Sequence, residues 1–210
     1  MLDYNEQANW GNGFGQIQSP INLSTHDNQH LADYMPIHAD EFYQLNTEID
    51  DHTTIRLTGM GNASIFDRPY HFQQVHFHAP AEHVIDGKVN PIEIHLVHEN
   101  DVGQTVVVAL FPQIGNANSD IQNIINNFEG NHDHSVSLKI HHQINDFQTG
   151  FHYLGSLTTP PLTEGVEWIV INNSTLTVSQ SQVDWFIQKF GKNNRACQPI
   201  NQRNIQYYNK

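Results

Sequence analysis

Gln74-Val75-His76-Phe77-His78-Ala79 is the stretch on which the reading of this chain turns. Polar and apolar residues alternate along it, the period of an extended strand whose alternate side chains share a face. Gln74, His76 and His78 point one way, while Val75, Phe77 and Ala79 enter an apolar layer on the other side. Two imidazoles two residues apart on a rigid strand can reach one metal ion. The next alternating stretch, Ile92-Glu93-Ile94-His95-Leu96-Val97-His98, places Glu93, His95 and Val97 on one face and Ile94, Leu96 and His98 on the other. Antiparallel pairing through a turn around Asp86-Gly87 brings His95 to the first two histidines. Three neutral imidazoles with an open fourth tetrahedral position describe a catalytic zinc site. Gln74 and Glu93 each lie two residues from a candidate ligand on its own face, placed to accept the imidazole N–H turned away from the metal. Such acceptors fix the tautomer and raise ligand basicity.

The chain has 15 histidines, and a lone histidine is ordinarily a solvated or hydrogen-bonded side chain. The third histidine and the two acceptors, not the H-x-H alone, favour zinc. His132-Asp133-His134 sits in a loop bordered by Gly and Asn and reads as a surface feature. His141 and His142 are adjacent, so on a strand they face opposite ways.

Strand-like signal also covers residues 53–58, 72–79, 92–98, 105–111, 136–140 and 166–171, each bounded by Gly, Asn, Asp or Pro. Two helices are predicted. Ile121, Ile124, Ile125 and Phe128 follow Asn118 or Ser119 and stop at Gly130; Val183, Phe186, Ile187 and Phe190 follow Ser179 or Ser181 and stop at Gly191. The domain is therefore mostly β and built on a large sheet, and pattern alone leaves a sandwich, a barrel and an open sheet in play. No repeat or linker divides the 210 residues, so 1–210 reads as a single domain.

A net charge of −13 argues against a nucleic acid or an anionic membrane as partner, since both need a basic face. The longest apolar run, residues 106–111, falls far short of the ~18 residues of a membrane span. Asp3 and Glu6 interrupt the first twenty residues, which do not read as a secretory signal, and Cys197 is the single cysteine. A cytoplasmic protein is expected.

Gln18-Ser19-Pro20-Ile21-Asn22, the strand of residues 74–82 running into Glu82-His83, Glu93-Ile94-His95-Leu96-Val97-His98, Gly155-Ser156-Leu157-Thr158-Thr159-Pro160-Pro161, and Asn193, Arg195, Gln198, Pro199 and Arg203 follow one another in a specific order. Together they resemble the alpha-class carbonic anhydrases across nearly the whole chain. The resemblance implies a central, mostly antiparallel twisted sheet of about ten strands with a few peripheral helices, and reversible hydration of carbon dioxide by a zinc-bound hydroxide. It implies His76, His78 and His95 as zinc ligands backed by Gln74 and Glu93. Thr158 would orient the hydroxide and donate its own proton to Glu82. Val97, Val107, Leu157 and Trp168 would hold the substrate, and Thr159 would lie near the bound anion. The family's proton shuttle points to His52, although the alternation of Ile55 and Leu57 puts Thr53 at that position, and a one-residue shift reverses the face. Bacterial relatives suggest a homodimer. Tyr4 and Trp10 match a shortened N-terminal segment, Ala79 replaces a larger residue, and the paired cysteines of secreted members are missing.

Two other readings compete. His76-x-His78-x-x-x-Glu82 mimics the first motif of a cupin metalloenzyme, which would make Glu82 a ligand, but Tyr70 stands where that motif needs glycine. A non-catalytic binding module on the carbonic anhydrase fold is the other; such relatives typically lose metal histidines, and this chain keeps all three.

Overall fold

The structure, a computed structural model, describes residues 2–11, 15–50, 52–130, 136–139, 144, 148–172 and 174–210. Twelve strands of the described chain form one sheet: β1 (Gln29–Leu31), β2 (Ile37–Ala39), β3 (Phe42–Asp50), β4 (Ile55–Met60), β5 (Asn62–Ile65), β6 (Arg68–His78), β7 (Glu93–Glu99), β8 (Thr105–Leu110), β9 (Val136–Lys139), β10 (Gly150–Ser156), β11 (Glu164–Ile171) and β12 (Gln206–Tyr208). Their order is β9-β3-β4-β6-β7-β8-β11-β10-β12-β1, with β5 pairing the first half of β6 and β2 pairing β5. Only β8–β11 and β12–β1 are parallel within it. The sheet is therefore open and mostly antiparallel, which resolves the choice that pattern alone left.

Period-2 alternation puts a core on each face. Ile55, Leu57, Val75, Phe77, Ile94, Leu96, Val106 and Val108 are buried on one side, where the two helices cover them. Helix α1 (Ser119–Gly130) begins at Asn118, whose Oδ1 accepts from the Asp120 and Ile121 N–H groups at 2.9 and 3.0 Å. Helix α2 (Gln180–Phe190) carries a Ser179/Gln182 capping box and closes at Gly191, whose φ of 74° suits glycine. Its Phe186 ring stacks on Phe77 of the sheet at 4.8 Å. On the opposite face Ile21, Val107, Ala109, Phe151, Tyr153, Trp168 and Val170 are buried together. Among the described residues no helix is long and apolar enough to cross a membrane.

His98 follows the alternation into the helix-covered layer. It is fully buried, with Nε2 2.8 Å from the Tyr43 hydroxyl. Burial pushes His98 down to about 4, whereas an unfolded chain protonates it near 6.5. The folded state thus excludes a proton that the unfolded state binds. Its contribution is complete above pH ~6.5 and is lost as pH falls toward 4, by about 3 kcal/mol in all. Urea unfolding at pH 7 and pH 4.5 is expected to show most of that loss, and His98→Gln to flatten the difference. An unchanged pH slope in the variant would rule out His98 as the source.

Candidate metal centre

His76 and His78 end β6 and His95 lies in β7. The antiparallel register sets His76 opposite His95 and His78 opposite Glu93. One ligand nitrogen from each histidine lies within 4.8 Å of the others. The connection between the strands doubles back at Asp86-Gly87, both at positive φ (50° and 74°), between Val84–Ile85 and Lys88–Val89. Val84–Ile85 also pairs in parallel with Asn22–Leu23, which anchors the connection to the N-terminal segment.

Each histidine has its other nitrogen tied to an acceptor. His76 Nδ1 donates to Gln74 Oε1 at 3.2 Å and His95 Nε2 to Glu93 Oε1 at 2.6 Å. His78 Nδ1 donates to the Asn193 carbonyl at 2.7 Å. Lone pairs are thereby left on His76 Nε2, His78 Nε2 and His95 Nδ1. His78 Nε2 is buried with no hydrogen-bond partner, and His76 Nε2 and His95 Nδ1 stand 3.2 Å apart. Two lone pairs facing each other beside a third, orphaned one are unfavourable for bare imidazoles and are relieved by a cation between them. Burial, reinforced by the neighbouring imidazoles, pushes His76 well below its ordinary range, and burial also lowers His78. Both are held in the neutral, ligating form. Three neutral nitrogen donors fit Zn²⁺.

Glu93 is the hub behind them. Its Oε2 accepts from the Glu82 and His83 backbone N–H groups at 2.8 Å each, and Oε1 accepts from His83 Nδ1 at 2.7 Å as well as from His95. Burial alone would raise this carboxyl, but the two imidazoles and their hydrogen bonds hold it well below the ordinary carboxylate range. His83, Glu93 and His95 also lie within ligand distance of one another, yet both imidazole N–H groups already occupy Oε1, so the trio is a hydrogen-bonded support. It continues from His83 Nε2 to the Tyr153 hydroxyl (2.6 Å) and on to Ser19 Oγ (2.9 Å). Gly155 lets these strands close up, since a Cβ there would meet Ser19 Oγ at 2.1 Å.

Sequence reasoning missed several members of this site. Asn193 wraps the end of β6: Nδ2 donates to the Thr53 and Phe77 carbonyls (2.7 and 2.9 Å), and Oδ1 accepts from Ala79 N–H (2.8 Å). Asn193 and Ser19 stood inside quoted motifs, which was the available signal; Tyr153 stood in none. Thr158 and Glu82 are both buried; Glu82 Oε1 takes the Arg195 N–H at 2.8 Å, and Oε2 is buried without a partner.

The sheet register also sets an apolar side and a polar side around the histidines. Val97, Val107 and Trp168 are successive cross-strand neighbours, forming an apolar row beside the row of His76 and His95. The Trp168 ring lies 4.9 Å from that of His95 and donates Nε1–H to the Ser156 carbonyl at 3.0 Å. Leu157 packs half-buried on the same cluster, and Thr159 is half-buried beyond Thr158. Across the histidines, Arg56 pairs with His76 and Thr58 with Gln74, which makes the other side polar. His52 is exposed, with φ 61°, in the bend before β4. That strand starts at Ile55, not at residue 53, because Thr53 and Thr54 are engaged elsewhere: the Thr53 carbonyl on Asn193, the Thr54 hydroxyl on the Phe77 carbonyl at 2.7 Å. The clusters at 132–134 and 141–142 lie outside the described residues. Glu82 is not among the converging ligand atoms, and the sheet is open, so the cupin reading fails on both counts.

Comparison with known proteins shows the family. The model of the eukaryotic-type carbonic anhydrase family matches residues 5–209. A carbonic anhydrase of Pectobacterium atrosepticum is 34% identical over 205 residues, covering 91% of this chain and 80% of that protein. The carbonic anhydrase Cah3 from Chlamydomonas reinhardtii, solved with acetazolamide, superposes with a TM-score of 0.81 at 26% identity, over 95% of this chain and 94% of the other. Dioscorin dioA3 of Dioscorea japonica is 30% identical, covering 97% of this chain and 83% of its own length. With three histidines converging on one face of an open sheet, and likeness to these proteins along nearly its whole length, the chain belongs to the alpha, or eukaryotic-type, carbonic anhydrases, enzymes of carbon dioxide and bicarbonate.

Proposed function

We propose that the enzyme is zinc-dependent, with His76, His78 and His95 holding the metal, and that it hydrates carbon dioxide reversibly to bicarbonate and a proton. The carrying observation is the convergence of three lone-pair nitrogens whose partner nitrogens are all engaged. A bound zinc supplies a Lewis acid that lowers the pKa of a water to about 7, the value established for carbonic anhydrases and not one obtained from this chain.

The residues around the metal account for the rest. Carbon dioxide carries no net charge and hydrogen-bonds weakly, so the wall of Val97, Val107, Leu157 and Trp168 receives it and keeps water from its carbon. Thr158 orients the attacking oxygen and donates its own hydroxyl proton to Glu82, whose buried, unpartnered Oε2 supports that assignment. Thr159 borders the product anion. His52, exposed in the bend before β4, passes the released proton to solvent. Residues 1–210 act as one catalytic domain, and the single cysteine is consistent with a cytoplasmic location.

Removing the metal with a chelator is expected to abolish hydration, and one equivalent of zinc to restore it. Activity that survives complete removal would overturn the reading. Thr158→Val should lower kcat/KM by about 100-fold, the scale for losing one orienting hydrogen bond, with zinc content unchanged. A variant as active as the parent would remove Thr158 from the mechanism.

A further inference from the structure

The strand that flanks His76 on the side away from His95 stops before it reaches His78. β4 pairs with β6 at Thr58–Gln74, Leu57–Val75 and Arg56–His76, and the register ends there. Phe77, the residue between the two histidines, lies one position past that end. Its ring is fixed in the helix-covered layer against Phe186 at 4.8 Å. Its peptide groups are held by a side chain. The Phe77 N–H donates to Thr54 Oγ1 at 3.2 Å, and the Thr54 hydroxyl donates to the Phe77 carbonyl at 2.7 Å. The Ile55 carbonyl is farther from that hydroxyl, at 3.3 Å, so its single proton goes to Phe77. Asn193 Nδ2 donates to the same Phe77 carbonyl at 2.9 Å. Thr54 is only 6% exposed, so water is poorly placed to stand in for its hydroxyl.

Resting on the metal reading above, we propose that Thr54 is a positioning residue that holds His76 and His78 in their metal-binding geometry before a metal arrives. The donor nitrogens converge with two lone pairs face to face at 3.2 Å and a third orphaned. Such a set pushes itself apart when no cation sits between its members. The end of a strand is where it would give way, since few ladder bonds oppose the movement there. Rotation of the Phe77 peptide groups swings the side chains of His76 and His78, its two chain neighbours. A clamp on both the N–H and the carbonyl blocks that rotation, so metal meets a formed site and spends no binding energy on assembling it. The hydroxyl bonds backbone and not a ligand nitrogen, so it acts through Phe77. Losing a hydrogen bond of this kind corresponds to about tenfold in an equilibrium constant. That is the low end of the ~10- to 100-fold lost with an acceptor bonded directly to a ligand.

The test is the zinc affinity of the full chain, measured by competition with a chromophoric chelator in Thr54→Ala and Thr54→Ser, which differ only by the hydroxyl. Thr54→Ala is expected to weaken zinc about tenfold, and Thr54→Ser to stay within about twofold of the parent. Ile124→Val trims the buried core in helix α1, lowers stability on a similar scale, and should leave zinc affinity unchanged. A zinc constant in Thr54→Ala within about twofold of the parent overturns the proposal. So does an equal weakening in Thr54→Ser, which would trace the effect to side-chain packing, or in Ile124→Val, which would trace it to general stability. A second measurement needs no variant to fold. In the metal-free parent, the Phe77 amide should exchange with deuterium no faster than the Val75 amide, which lies inside the ladder. Exchange more than about tenfold faster would mean that the clamp opens without metal, and overturns the proposal as well. A parent protein that binds no zinc overturns the functional reading itself, and this inference with it.

Discussion

His95→Ala is expected to lose zinc and carbon dioxide hydration together while keeping the fold. His95 is the one ligand that β7 contributes, and its Nδ1 completes the set begun by His76 and His78. Truncation leaves two donors from a single strand, which cannot close a tetrahedral site. The loss of zinc affinity should exceed the ~10- to 100-fold that removing an outer acceptor costs. Glu93 keeps His83 and two backbone N–H groups as partners, so no buried charge is stranded and the sheet should hold. Zinc content by atomic emission, far-ultraviolet circular dichroism and hydration rate measured on one preparation check this. A folded variant with full zinc and full activity would move the metal elsewhere.

Glu93→Ala is expected to damage stability as well as metal binding. Its carboxylate accepts from four donors in a site closed to water: two backbone N–H groups, His83 and His95. Removing it strands all four and frees His95 to rotate. Breaking a buried charged network costs about 3–5 kcal/mol, which in a chain of this size lowers Tm by on the order of 10 °C. Zinc affinity should fall ~10- to 100-fold. Calorimetry of apo and zinc-loaded protein separates the two effects, because the stability loss persists without metal. A Tm within 2–3 °C of the parent in the apo form, about the shift that 1 kcal/mol produces, would show that Glu93 is not the hub its contacts describe.

The centre of this site was legible because it is local. Alternation along residues 72–79 and 92–98 is short-range information, and it set which side of each strand carries histidine, which carries the apolar layer, and which residues support His76 and His95. The helices were legible for the same reason, through their apolar spacing and through Asn118, Ser179 and Gly191 at their ends. What the chain did not disclose was distant. Asn193 holds His78 from 115 residues away, and Tyr153 reaches His83 across 70. Strands such as Gly150–Ser156 and Phe42–Asp50 have weak or interrupted alternation of their own and are defined by the neighbours they pair with. Thr54 looks like an ordinary strand residue until its hydroxyl is found on the Phe77 carbonyl, 23 residues away. The Thr158–Glu82 relay rests on family resemblance alone, since no local pattern links the two residues; the Arg195 N–H takes one oxygen of the carboxylate and leaves the other buried and unpartnered.

The most direct test of the central claim is stopped-flow carbon dioxide hydration by protein whose zinc content has been measured. Fast hydration that rises in proportion to bound zinc, and that depends on buffer concentration where proton release limits the rate, is the predicted result. No hydration above background from protein carrying one zinc per chain would contradict it, and would leave a carbonic anhydrase fold whose metal cleft serves binding.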